Sequence, residues 1–348
     1  MNGTWIRAVC GTLAVLLVFL AVGGVWGWKA LYDDREGAVG TVPFVVHEGE
    51  TLRETAERLT AAGLLDAPWT LRAVARIEGG ARGVRSGEYD LPRNASPARL
   101  LHLLVEGPLR TRAVTLPEGW TASQVVATLA DSLDIERAAL DSLVRDPLPR
   151  WRQGLDLAEG VSLEGYLFPE TYRFARGVDP TTVVGTLVEA FRAVVVDSVE
   201  ARLESSGFAL HEWVTLASIV EAEVTVDDEF RRVAAVFLNR LEQGWRLEAD
   251  PTVAYAVGKI GDRLTYGDLE TESPYNTYRV HGLPPGPINS PGRQALLAVL
   301  WPEPDFDAMY FVADGAGGHR FSRTWEEHRR AVRQYRAWQR AQRDDGSG

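Results

Sequence analysis

At 348 residues and 45% hydrophobic content, the chain can bury at least one sizeable core and has the length of two domains, which excludes a disordered polypeptide. A formal net charge of -11 argues against nucleic-acid binding through a basic field, so no nucleic-acid partner is expected. The single cysteine, Cys10, excludes an intrachain disulfide framework and any cysteine-rich zinc site, and leaves an extracytoplasmic location open.

No charge interrupts "AVCGTLAVLLVFLAVGGVWGW", Ala8 to Trp28, between Arg7 and Lys29. At about 1.5 Å per residue a helix of this span covers roughly 30 Å, the thickness of a bilayer's hydrocarbon core, so the segment reads as a transmembrane anchor. A cleaved signal peptide would carry a shorter apolar core and a small-x-small cleavage site, whereas Trp26 and Trp28 stand where an interfacial belt belongs. Positive charge is nearly balanced across the segment. The short N-terminal flank makes a cytoplasmic tail with an exported body the economical orientation.

After a linker, "VPFVVHEGETLRETAERLTAAGLL" predicts a strand, a turn at Glu48 and Gly49, and a helix with Leu52, Ala56 and Leu59 on its apolar face. Thr51 is the expected N-cap and Glu54 closes a capping box. This segment resembles the start of a LysM module, a small peptidoglycan-binding fold. In "VRSGEYDLPRNASPARLLHLLVEG" a short strand precedes a helix capped by Ser96, with Pro97 at its first position. "VTLPEGWTASQVVATL", Val114 to Leu129, repeats the order of strand, Glu-Gly, threonine and helix. "SLEGYLFPETYRF", Ser162 to Phe174, is dense in aromatics, which suits either a core or the lining of sugar subsites.

His211 to Val224 predicts a largely buried helix, because Val214, Ala217, Ile219 and Val220 are too apolar for a solvated face. Glu221 and Glu223 close it, projecting roughly 200° apart about the helix axis, so they cannot pair with each other. A carboxyl against apolar surface has a raised pKa, as a general acid near neutral pH requires. The plain alternative is a buried ion pair with Arg231, Arg232 or Arg240.

A second helix is expected from Asp227, as N-cap, to Gly244 as its stop. "RLEADPTVAYAVG" and "SPYNTYRVHGLPPGPINSPG" follow, a stretch too rich in proline, glycine and asparagine for regular structure and too rich in tyrosine and apolar residues for disorder. Met309 to Ser322 predicts a hairpin with a glycine-rich tip, and a C-terminal helix from Trp325 carries Arg329, Arg330, Arg333, Arg336 and Arg340 on a solvated face or against a membrane surface. "HEWVT" at His211 lacks the second histidine of a two-turn zinc pattern, so neither a metal site nor a cofactor is expected.

"ASIVEAEV", "VFLNRL", "RLEADPTVAYAVG", "SPYNTY", "GLPPGPINSPG" and "YFVADGAGGHRFS", in this order and spacing, closely resemble the endolytic murein transglycosylases of the MltG, or YceG-like, family, over most of the chain from about Val42 to Trp338. The resemblance implies a membrane-anchored, exported lytic transglycosylase of nascent peptidoglycan. Its products would be glycan fragments cut between MurNAc and GlcNAc and ending in 1,6-anhydro-MurNAc. Its partners would be peptidoglycan glycan strands, the cytoplasmic membrane and peptidoglycan synthases. It assigns the catalytic role to Glu221 and makes Glu223 a site-lining candidate. Asp250, Asn276, Tyr278 and Asn289 are loop residues that orient substrate or pin the loops. "INSPG" departs from the family's more usual asparagine-proline pair, and Val224 stands where a threonine is common, which leaves subsite detail open.

The expected fold is α+β: an N-terminal transmembrane helix at 8–28 behind a tail at 1–7, a linker at 29–41, a small LysM-like α+β subdomain at 42–112, a mixed α+β catalytic domain at 113–340 and a tail at 341–348. The rival reading is a non-catalytic peptidoglycan-binding membrane anchor of cell-wall synthesis, which needs no carboxyl in a dry wall.

Overall fold

The computed structural model describes residues 21–35, 39–47, 49–79, 83–107 and 111–345. Residues 8–20 of the expected anchor and Glu48 of the expected turn lie outside them. Residues 21–32 are helical, and among the described residues no helix is long and apolar enough to cross a membrane. The fold is mixed α+β and divides into two units, residues 1–112 with 173–178, and residues 113–172 with 179–348.

In the first unit, strand β1 (Thr41–Val46) pairs antiparallel with β2 (Gly87–Pro92), Phe44 opposite Tyr89. Helices α1 (Leu52–Ala61), α2 (Pro68–Glu78) and α3 (Pro97–Val105) close a core of Phe44, Leu59, Leu71, Val74, Leu91 and Leu100. The expected caps form. Thr51 accepts from the Glu54 N–H while the Glu54 carboxyl accepts from the Thr51 N–H, and Ser96 accepts from the Arg99 N–H with Pro97 at the first position.

Strand β3 (Thr111–Thr115) pairs with β4 (Thr171–Ala175). Helix α4 (Ala122–Leu133) begins at a capping box of Thr121 and Gln124, so both sequence copies of strand, Glu-Gly and threonine lead into capped helices. Helices α5 (Arg137–Arg145), α6 (Pro149–Gly154), α7 (Pro180–Phe191) and α8 (Asp197–Ser206) complete the first half of the second unit, with a π-helical turn at Arg192–Val196.

Helix α9 (Leu210–Glu223) is the centre of this unit: Trp213 to Val220 are all buried, and apart from Thr215 and Ser218 all apolar, as suits a helix packed on every side. It packs against α10 (Phe230–Glu242), α11 (Asp250–Val257) and α13 (Arg293–Leu300), and the Trp213 indole N–H donates to the Leu296 carbonyl at 2.8 Å. The second helix starts later than expected. Asp227–Glu229 form a 3₁₀ turn, α10 begins at Phe230, and Asp227 is not its cap; Gly244, at φ 69°, ends it as expected. The stretch after Gly244 is also more regular than its composition suggests, since α11 and the short α12 (Tyr266–Leu269) form within it, while residues 273–292 contain neither helix nor strand. Strands β5 (Tyr310–Ala313) and β6 (His319–Ser322) make the expected hairpin, followed by α14 (Trp325–Asp345) with Arg329, Arg330, Arg333, Arg336 and Arg340 exposed.

Candidate active site

The site is built on one stripe of α9. His211, Ser218 and Glu221 are seven and three positions apart, so they share a helix face, and residues 285–292 lie along it. The His211 Nε2–H donates to the Pro285 carbonyl at 2.8 Å, which leaves Nδ1 to accept from the Tyr166 hydroxyl at 2.8 Å. Ser218 Oγ accepts from the Ile288 N–H at 3.0 Å, and the Asn289 amide donates to the Ser218 carbonyl at 2.9 Å. The Glu221 carboxyl then accepts from the Gly292 N–H at 3.0 Å. Gly165, at φ 87°, lets this loop approach: a Cβ there would come within 2.5 Å of Pro287.

A second segment meets the loop from the other side. The Gly119 N–H donates to the Ser290 carbonyl at 2.9 Å, and the Ser290 N–H returns a bond to the Trp120 carbonyl at 2.8 Å. This bridge sets Gly119 against Glu221, where a Cβ would sit 3.7 Å from Glu221 Cγ. The neighbouring Glu118 carboxyl lies over Gly292, within 2.1 Å of where a Cβ would stand.

Burial pushes the Glu221 carboxyl up to about 7. The Gly292 N–H opposes that rise, and the charges of Glu118 and Asp227 add to it. The arginines that could have neutralised it are engaged elsewhere: Arg231 with the Trp301 and Pro302 carbonyls, Arg232 over the Phe321 ring, Arg240 with the Met309 and Leu247 carbonyls. Among the described residues Glu221 is therefore a half-buried carboxyl without a cationic partner.

Beside it lies a cavity of about 620 Å³ lined by Gly119, Thr121, Glu223, Asp250, Tyr255 and Asn289 among others. Glu221 itself is not part of that lining; Gly119 joins the two. Glu223, on the other side of α9, is raised to about 8 by burial and by the Asp250 charge, with Arg240 opposing. The Tyr278 hydroxyl donates to Asp250 at 2.7 Å, which brings Tyr278 to the cavity through its partner. Asn289 is buried with its amide N–H committed to Ser218. Asn276 is fully buried, its amide donating to the Leu269 and Thr271 carbonyls while its oxygen accepts from the Tyr278 N–H, so it pins the loop and lies outside the cavity wall.

The sequence reading did not single out Glu118, Glu164, Thr121 or Tyr255. Glu164 is buried, accepts from the Ala122 N–H at 2.8 Å and from the Tyr255 hydroxyl at 3.2 Å, and is raised to about 7 by burial, with those two hydrogen bonds and the Gly165 N–H opposing the rise. Its signal was present: a lone acid between Leu163 and the run "GYLF", whose Tyr166, Leu167 and Phe168 are core rather than subsite lining.

The YceG-like family model matches residues 44–334. A protein of Bacillus subtilis (strain 168) named endolytic murein transglycosylase is 29% identical over 333 residues, which cover 91% of this chain and 91% of that one. A protein of the same name from Streptococcus pneumoniae serotype 2 is 26% identical over 367 residues, covering 95% of this chain and 65% of its own length. A crystal structure of a YceG-like protein from Listeria monocytogenes superposes with a TM-score of 0.58 at 28% identity, over 84% of this chain and 99% of that chain.

Proposed function

The chain belongs to the YceG-like family, and from that premise we propose that it is a membrane-anchored endolytic lytic transglycosylase of peptidoglycan. It cuts glycan strands between MurNAc and GlcNAc and leaves 1,6-anhydro-MurNAc ends. The observation that carries this reading is Glu221, a carboxyl raised to about 7 that has no cation beside it among the described residues and stands against the glycine wall of a cavity. Such a group is protonated in a useful fraction near neutral pH and is a competent acid once the strand is bound.

In the proposed reaction Glu221 gives its proton to the glycosidic oxygen as the bond from that oxygen to C1 breaks. The resulting carboxylate takes the proton from the C6 hydroxyl of the same sugar while that oxygen bonds to C1. Glu221 ends as it began, and no water is consumed. The nucleophile is tethered to the electrophile, so positioning supplies much of the rate and one carboxyl suffices.

We assign the anchor to residues 8–28, a LysM-like peptidoglycan-binding subdomain to 42–112 and the catalytic domain to 113–340, on an exported body at the cell membrane beside the synthases that supply the strands. The uninterrupted apolar run from Ala8 to Trp28 supports the anchor, and "VVHEGETLRETAERL" supports the subdomain. Glu223, Asp250, Tyr278 and Asn289 serve as substrate-binding groups of the cavity.

One observation favours a second reading. Glu223 and Asp250 line the cavity together, and a pair of carboxyls across a scissile bond is the equipment of a hydrolase. Digestion of purified glycan strands in heavy-oxygen water separates the two. The transglycosylase yields unlabelled 1,6-anhydro ends, each fragment lighter by one water than a hydrolytic product, and Glu221→Gln abolishes them. Labelled reducing ends would move the chemistry to the Glu223 and Asp250 pair.

A further inference from the structure

The Glu164 carboxyl is shared between two elements of the site. Oε1 accepts from the Ala122 N–H in the first turn of α4, at 2.8 Å, where the helix end favours a negative charge. Oε2 is left to face Tyr255 of α11, whose hydroxyl lies 3.2 Å away and whose side chain lines the cavity. An ionised carboxylate can only accept hydrogen bonds, and a phenol has one proton. Tyr255 must therefore turn that proton toward Glu164, away from the cavity. Its oxygen lone pairs remain for whatever occupies the cavity.

We propose that Glu164 is a positioning residue that fixes the polarity of the Tyr255 hydroxyl, so that Tyr255 presents a hydrogen-bond acceptor to an N–H or O–H donor of a sugar bound in the cavity. This rests on the glycan-cleaving reading above and adds to it a contact and the group that orients it. N-acetylated amino sugars carry both kinds of donor. When Glu164 is protonated, Oε1 still accepts from Ala122, so the proton resides on Oε2 and is donated to Tyr255. The tyrosine then points its own proton into the cavity, and the acceptor is lost. The carboxyl, raised to about 7, makes that reversal within an accessible pH range. The groups facing Glu164 are the N–H groups of Ala122 and Gly165 and the hydroxyls of Tyr255 and Tyr275; the tyrosines are themselves held neutral by burial. The remaining charged groups of the cavity are Glu223, Asp250, Asp262 and Arg263.

The test is a double-mutant cycle in the full-length Glu221→Gln protein, which holds strands without cutting them. The dissociation constant for purified glycan strands is measured for that protein, with Glu164→Gln, with Tyr255→Phe and with both. At pH 8.5 Tyr255→Phe weakens binding about tenfold, the net worth of one hydrogen bond. Glu164→Gln weakens it comparably, because the substituted amide can keep the Ala122 bond through its oxygen only by turning its N–H onto Tyr255. The double variant loses no more than either alone. Losses that multiply, or Glu164→Gln binding at full affinity, would overturn the assignment.

Should Glu164→Gln fail to fold, the pH dependence decides. Binding weakens from pH 8.5 to 6 more steeply with Tyr255 present than in Tyr255→Phe; parallel curves overturn the proposal, since Glu223 and the other cavity groups are present in both proteins. Strands left whole by the wild-type enzyme would overturn the glycan reading and this assignment with it. Strands cut by the wild type together with an uncoupled cycle would overturn this assignment alone.

Discussion

Glu221 and Glu223 stand two residues apart on α9 and answer to different neighbours: Gly119, Gly292 and Glu118 for the first, Asp250 and Arg240 for the second. Their divergence follows from helix geometry and was legible in "VEAEV". That no arginine would reach Glu221 was not, because each of Arg231, Arg232 and Arg240 finds its partners on segments distant in sequence. Glu118 was equally hidden, since only the fold brings "PEGW" to Gly292. It makes a specific prediction. Burial is the main cause of the raised Glu221 carboxyl, and the Glu118 charge adds to it, so Glu118→Gln lowers the Glu221 pKa. A general acid loses activity as pH rises through its pKa. The alkaline fall in kcat/KM of Glu118→Gln therefore comes at lower pH than in the wild type, with kcat at pH 5.5 little changed. An alkaline limb that stays in place would show that Glu118 does not act on Glu221.

At the scale of elements, the strongest forecasts were those with a local cause. Thr51 with Glu54, Thr121 with its following helix, and Ser96 with Pro97 are start signals written within four residues, and all three helices begin there. Asp227 carried the same kind of signal and failed. The next residues instead form a 3₁₀ turn ending at Glu229, whose carboxyl accepts from the His319 N–H at 2.9 Å and from its ring Nδ1–H at 2.7 Å. A long-range partner overrode a local preference. Two substitutions contrast these cases. Thr51→Ala removes one exposed cap in the first unit and costs about 0.5–2 kcal/mol by chemical denaturation, with strand cleavage unaffected. Glu229→Ala leaves two nearly buried donors of His319 without their acceptor and costs about 2–4 kcal/mol in the second unit. Equal losses at the two positions would mean that the Glu229 bond holds little.

For the molecule as a whole, the second unit carries three carboxyls held against their preference for water: Glu164 and Glu221 at about 7 and Glu223 at about 8, all from an ordinary 4.5. Between pH 4.5 and 8 the folded state binds more protons at these groups than the unfolded chain, so stability falls as pH rises through that window. Each contributes on the order of 1–3 kcal/mol. The thermal midpoint of the second unit is expected to be several degrees lower at pH 8.5 than at pH 5.5, and Glu223→Gln to recover part of that difference at pH 8.5 only. A midpoint that climbs from pH 5.5 to 8.5, or a Glu223→Gln gain equal at both, would speak against buried ionisation as the cause.

Periodicity and capping chemistry act over a few residues, so the strand Thr41–Val46, the capped helices, the buried helix that carries Glu221 near its end and the hairpin at Tyr310–Ser322 could be read from the order of amino acids alone. Family resemblance in ordered motifs pointed to the same glutamate. The sequence could not say that "DPTVAYAVG" is helical from Asp250 to Val257, since its low amphipathicity reflects packing against α9 rather than a water-facing side. Nor could it say that Asn276 pins a loop while Asn289 lines the cavity, because both lie in the same proline-rich stretch and differ only in what the folded chain sets beside them. The pairing of Glu164 with Tyr255, 91 residues apart, belongs to the same class. Local chemistry acts within a few residues of chain, but the dryness and the partners of a carboxyl depend on segments that only the tertiary fold brings into contact.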